Sequence, residues 1–166
     1  MEKHILSILV DNEAGVLSRV VGLISRRGFN IDSLAVGETG DPALSRMTIM
    51  LTCTHKALAQ IMAQVEKLVC VRRVAELERD GALSRELLLL KVATSSDTRS
   101  EVLELAGVFR ARVVDVCRES LTLELTGESD KMAAVISLME QFGILEMART
   151  GASSLSRGAS TIYDTM

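Results

Sequence analysis

The apolar positions along the chain change period in a regular order. "ILSILV", Ile5 to Val10, is a nearly continuous apolar run of strand length, and Leu17, Val20, Val21 and Ile24 then fall at the i, i+3, i+4, i+7 spacing of one helix face. Gly28 supplies a stop for that helix. "FNIDSLAV" reads as a second strand, and "GETGDP", Gly37 to Pro42, with two glycines and the only proline, turns it into a third, "SRMTIMLTC", Ser45 to Cys53. Leu58, Ile61, Met62 and Val65 return to helical spacing, and "VCVRRVAEL" closes the series as a strand. The predicted order is βαββαβ.

After the charged, glycine-bearing link "ERDGALSRE" the order recurs. "ELLLLKV" is a strand, Val102, Leu105, Ala106 and Phe109 mark a helix, and Thr98 with Glu101 fits a capping box at its start. "ARVVDVC" and the alternating "LTLELT", Leu121 to Thr126, read as a strand pair. Met132, Val135, Ile136 and Met139 give another helix, and "ILEMAR" is the final strand. The pattern predicts an α+β chain of two ferredoxin-like βαββαβ units, residues 1–79 and 85–150, joined by a linker over 80–84. The last stretch, residues 151–166, is small and polar and is expected to be a flexible tail.

Composition removes several classes of function. A formal net charge of -3 offers no electrostatic footprint for nucleic acid or an anionic membrane, and aromatics at 2% leave no base-stacking sheet of the RNA-binding type. The opening apolar run is cut off by Asp11 and Glu13, too short for a secretory leader, and nothing later reaches spanning length. Cys53, Cys70 and Cys117 form neither a disulfide framework nor a CxxC pair, so a reducing cytoplasm is expected, with the cysteines in the core. His4 and His55 have no partner at motif spacing and are expected at surface or capping positions. No catalytic residue and no metal ligand set emerges. Arg26 and Arg27 suit a helix C-terminus, and Arg72 and Arg73 a solvated face.

What remains is the stretch "VDNEAGVLSRVVGLISRRGFNIDSL", Val10 to Leu34. The sheet order expected for this fold is 4-1-3-2, which puts "DNEAG" at one end of the unit and Phe29 and Asn30 at the other, separated by a helix of roughly 20 Å. Strand two is an edge strand with few blunting devices. Antiparallel pairing with a second copy would bring Asn30 of one chain to the "DNEAG" turn of the other. Backbone N–H groups of Gly15, Val16 and Leu17 at a helix N-terminus suit a carboxylate, and Asn12 and Asn30 can add amide contacts, which together fit a small zwitterion. A plainer reading of the same residues has Asn12 cap the helix, Gly15 relieve a turn and Asn30 sit as an edge-strand polar residue.

"ILSILVDNEAGVLSRVVGLISRRGFNIDSL", with "DPALSRMTI" and the later "LSRG" at Leu155 to Gly158, resembles the small regulatory subunits of acetohydroxyacid synthase, also called acetolactate synthase, over nearly the whole chain. The resemblance implies that the first unit is an ACT domain and the second a C-terminal ferredoxin-like domain, matched more by pattern than by identity. It implies a homodimer that is not itself an enzyme, carries no cofactor, and binds a catalytic large subunit using thiamine diphosphate, Mg and FAD in branched-chain amino acid biosynthesis. It further implies activation of that subunit and feedback inhibition by valine. Carried over residue by residue, the effector site comprises Asn12, Ala14, Gly15, Val16 and Leu17 of one chain with Asn30 and Ile31 of the other. A free-standing amino-acid sensor controlling another enzyme or a transcription factor would use the same pocket.

Overall fold

The computed structural model describes residues 1–78 and 80–164. Strand β1, Glu2–Asp11, pairs antiparallel on one side with β3, Leu44–Cys53, and on the other with β4, Val71–Leu77. β2, Ile31–Glu38, pairs with β3 and ends the sheet, whose order is β2-β3-β1-β4. The helices α1, Val16–Arg26, and α2, His55–Val65, cover one face. Even positions of β1, Leu6, Ile8 and Val10, pack there against Val16, Val20 and Ile24 of α1 and Leu58, Ile61 and Val65 of α2. Each such side chain contributes about 1.5–3 kcal/mol by leaving water. Gly28, at φ 78°, stops α1 as expected, its N–H meeting the Ser25 carbonyl at 2.9 Å.

The odd positions of β1, Ile5, Ser7 and Leu9, are buried as well, which explains why "ILSILV" does not alternate. Their cover comes from residues distant in sequence. Ile5 and Leu77 pack with Ala82, and Leu9 and Ala75 pack with Ile162. The chain therefore divides into a first unit of residues 1–84 and 152–166 and a second of 85–151. The stretch expected to be a flexible tail instead forms β9, Ser153–Ser156, paired with β5, Ala82–Ala93. Ala152 donates its N–H to Ser33 Oγ at 3.0 Å and Ser154 donates to Thr48 Oγ1 at 3.4 Å. Apolar surface on the odd face of β1 is the physical reason this segment is held. The expected linker is likewise strand from Ala82 onward. Arg79, Thr165 and Met166, at the ends of the expected first unit and tail, lie outside the described residues.

The second unit repeats the order, with β6, Arg112–Val116, β7, Ser120–Gly127, and β8, Ile144–Arg149, arranged as β6-β7-β5-β8. α3, Arg99–Val108, and α4, Ser129–Met139, place Val102, Ala106, Met132, Val135 and Met139 against Leu88, Leu90, Val92, Leu121, Leu123 and Leu125. The two βαββαβ units and the α+β class are as the pattern predicts. The capping box is not. Thr98 sits at φ -96°, ψ -16° without capping α3, and its hydroxyl accepts the N–H of Ser95 at 2.9 Å instead. Ser95 captured the turn because its own Oγ accepts the N–H groups of Asp97 and Thr98.

Ile162→Ala removes an almost fully buried side chain from the odd-face cover and should destabilise the first unit by about 2 kcal/mol. Leu155→Ala, at a residue 54% exposed, should stay within about 0.5 kcal/mol. Urea titration of both variants checks the difference.

Candidate functional site

The turn after β1 is held by its neighbours rather than by a helix cap. Asp11 accepts two hydrogen bonds from the Arg72 guanidinium, at 2.6 and 2.9 Å, and these bonds, with the attendant charge, hold Arg72 above the usual arginine range. Asn12 joins three segments. Its Nδ2 donates to Glu38 Oε1 at 3.1 Å and to the Pro42 carbonyl at 3.0 Å, while Oδ1 accepts from Ser45 Oγ at 3.0 Å. Asn12 therefore does not cap α1. It ties the end of β1 to the end of β2 and to the turn before β3, partners 26 to 33 residues away that no local sequence signal shows.

Gly15 occupies the N-cap position at φ 83°, ψ -7°, the left-handed region that glycine enters without a Cβ penalty, and the space beside it is open. Among the described residues no side chain caps α1, and no acidic residue stands in its first turn. The contact from Val16 N–H to the Glu13 carbonyl is long at 3.4 Å. By contrast, α2 is capped by Thr54, whose Oγ1 accepts the Ala57 N–H at 3.3 Å. The start of α1 thus presents N–H donors and a positive dipole end to whatever occupies the open side. Val16 points its side chain into the core and offers only its backbone, whereas Leu17 is 39% exposed and Ala14 lies on the surface.

Asn30 and Ile31 stand at the other end. Ile31 pairs with Leu51, which pairs with His4 near the start of β1, and β2 runs from there to Glu38, roughly 23 Å at strand rise. Ile31 is half-buried against the core and Asn30 is exposed. One chain therefore gathers Asn12, Ala14, Gly15, Val16 and Leu17 at one end of the sheet and Asn30 and Ile31 at the other. An open cavity of about 260 Å³, lined by Arg27, Phe29, Gln60, Ile61, Ala63 and Gln64, includes none of these residues.

Two sequence expectations about single residues change. Cys117 is exposed, because it follows the edge strand β6, all of whose residues are exposed, while Cys53 and Cys70 are in the core. Burial, with the charges of Glu76 and Asp32 added, raises the Cys53 thiol above its usual range and keeps it protonated. His4 is buried, not on the surface, because β1 begins at Glu2 and turns position 4 toward the helices. Its Nδ1 lies 2.8 Å from Glu76 Oε1, and its ring meets that of His55 edge-on at 4.7 Å between centroids. His55, the first residue of α2, lies 3.1 Å from Glu2 Oε2.

Comparison with known proteins bears on this arrangement. Residues 6–73 match a family model described as the AHAS small subunit-like ACT domain, and residues 85–158 match one described as the small subunit of acetolactate synthase. The acetolactate synthase small subunit of Mycobacterium leprae is 50% identical over 155 residues, 93% of this chain and 92% of the relative. This chain belongs to the acetolactate synthase small-subunit family. A probable acetolactate synthase small subunit from Methanothermobacter thermautotrophicus is 45% identical over 97% of this chain and 96% of its own length. The crystal structure of the acetolactate synthase small subunit from Thermotoga maritima superposes with a TM-score of 0.89 at 38% identity, covering 96% of this chain and 100% of that one. Family membership agrees with the resemblance carried by the Val10 to Leu34 stretch, and the first unit is an ACT domain.

In this small-subunit chain, Gly15→Ala should cost about 1–2 kcal/mol of stability through the left-handed backbone alone, since a Cβ meets nothing within 4 Å. Gly15→Asn should retain more of it, and denaturant midpoints of the two variants make the comparison.

Proposed function

We propose that this chain is the regulatory subunit of acetolactate synthase: it binds and activates a separate catalytic large subunit and makes that enzyme sensitive to valine. It has no catalytic role of its own, and the thiamine diphosphate, magnesium and FAD of the reaction belong to the partner. The observation that carries the effector site is the geometry of β2. Its outer edge has no partner strand among the described residues, and the seven candidate residues fall at its two ends. Antiparallel pairing of two copies, centred between Leu34 and Ala35, sets Ile31 of one opposite Glu38 of the other. Glu38 is the residue that Asn12 holds, so Asn30 comes to the turn of the second copy.

In the resulting pocket the valine carboxylate is received by N–H groups of Gly15, Val16 and Leu17, on a helix end that no side chain among the described residues caps. Leu17 and Ile31 supply the apolar wall. Asn12, whose amino hydrogens are engaged, fixes the wall and offers its remaining carbonyl lone pair, while Asn30 is free to reach the ligand. Branched side chains differing by one methylene separate by only about 0.8 kcal/mol in such a wall, so the wall selects the branched-chain class rather than one member of it. Three free cysteines, two of them buried, accord with a cytoplasmic setting, and no helix among the described residues is long and apolar enough to cross a membrane.

Reconstitution with the catalytic subunit tests the proposal. Gly15→Asp places a carboxylate at the effector's carboxylate site while keeping a residue type that tolerates left-handed backbone. Asn30→Ala removes one charge-assisted contact, about 1 to 3 kcal/mol or roughly 5- to 150-fold in valine affinity. Both variants should activate the large subunit and leave it insensitive to valine, with Gly15→Asp at least as severe. Full valine inhibition in both would refute the site, and failure of the parent chain to activate would refute the regulatory role. Because two chains build the pocket, valine should also tighten the dimer in sedimentation over a dilution series. Equal valine binding by monomer and dimer would contradict the shared site.

A further inference from the structure

At the end of the first unit opposite the "DNEAG" turn, Glu2, His4 and His55 come together although neither the sequence spacing nor the proposed regulatory role calls for it. One ligand-type atom from each lies within 4.8 Å of the others. Glu2 and His4 are alternate residues of β1 and share the helix-facing side of the sheet, and His55 opens α2 above them. The decisive feature is His4. Its side chain is 4% exposed, its Nδ1 meets Glu76 Oε1 at 2.8 Å, and its buried Nε2 has no hydrogen-bond partner among the described residues. In the tautomer that donates Nδ1–H to the Glu76 carboxylate, the lone pair sits on Nε2. A buried acceptor without a donor is costly. The same carboxylate–imidazole pair is the arrangement that orients a histidine for a metal on its other nitrogen.

We infer that Glu2, His4 and His55 form a binding site for one divalent transition-metal ion of the zinc type, with Glu76 as the residue that positions His4. Two imidazole nitrogens and one carboxylate oxygen are a borderline donor set, suited to Zn²⁺ or Co²⁺ rather than to Mg²⁺ or Ca²⁺, which take oxygen. Ligand atoms on a tetrahedral zinc stand about 3.3 Å apart given zinc–ligand lengths near 2.0–2.1 Å. His55 Nε2 and Glu2 Oε2, at 3.1 Å, already have that separation. Their side chains are 73% and 71% exposed, so they are free to close the remaining distance to the fixed His4 nitrogen. The Glu76 carboxylate on His4 adds negative charge beside the ligands for an incoming cation. Three protein ligands leave a fourth position to water or to an external group. The raised Cys53 thiol stays out of the set.

The test uses the untagged, metal-stripped full chain carrying Cys117→Ser, which removes the exposed thiol as a competing ligand. Calorimetric titration with Zn²⁺ should show one ion per chain, and Co²⁺ should give the visible absorption of a four-coordinate nitrogen–oxygen site. His55→Ala and Glu2→Gln alter exposed side chains and leave the fold intact, yet each should weaken Zn²⁺ binding by at least about tenfold. Glu76→Gln should weaken it about 10- to 100-fold while leaving the three ligands in place. Zn²⁺ should raise the Tm of the parent and not that of His55→Ala. Absence of saturable binding, or binding unchanged in both surface variants, would overturn the assignment.

Discussion

Strand β1 is paired along both edges and covered on both faces, and most of the first unit follows from satisfying it. Buried backbone groups need partners, which β3 and β4 supply, and the even side chains need helices, which the βαββαβ order delivers to one face only. The odd side chains, Ile5, Ser7 and Leu9, need a second cover that this order does not contain. The chain obtains it from Ala82 and from the returning segment after residue 152. The first unit is therefore discontinuous in sequence. A fragment cut before residue 80 would keep every βαββαβ element and lose the cover of one face.

The elements of both units were legible because period carries them: the helix spacings at Leu17 to Ile24 and Met132 to Met139, and the strict alternation of Leu121 to Thr126, have one physical reading each. Strand ends were less so. β1 reaches back to Glu2 through three polar residues because β3 continues beside it to Cys53, a pairing that local composition does not announce. The returning segment was illegible for a related reason. Its buried residues are Ala152, Ser154 and Ile162, spaced without helix or strand period and surrounded by small polar residues. Composition of that kind describes a mobile end unless the surface it meets is known.

The candidate residues stand out in the sequence, and the contacts that support them do not. "DNEAG" and "RGFN" stand out by residue type, and an edge position for β2 follows from the fold. That Asn12 would be engaged by Glu38, Pro42 and Ser45, and Asp11 by Arg72, depends on contacts across the sheet. These contacts change the chemistry of the site. An asparagine free to swing would be a ligand-binding amide, whereas one fixed by three bonds sets the position of the turn from which the N–H groups of α1 project. The histidines show the same limit, since His4 and Glu76 are 72 residues apart.

The two ends of the first unit are thereby opposite in character. At the "DNEAG" end Arg72 holds Asp11 and Asn12 holds Glu38, and the N-terminus of α1 faces outward with Gly15 at its N-cap. At the other end Glu2, His55 and Glu76 gather around the buried His4 imidazole, whose Nε2 has no hydrogen-bond partner among the described residues. The helix that separates the ends is rigid at 11 residues, so neither end can relieve the other within one chain. An end rich in N–H donors and an end with a buried acceptor stand at opposite limits of one edge-exposed sheet. Antiparallel pairing of β2 is the arrangement that brings unlike ends together, whereas parallel pairing would set like against like. In the proposed pairing, the donor-bearing end of one copy therefore meets the Asn30 end of the other, and completing the pocket takes two chains.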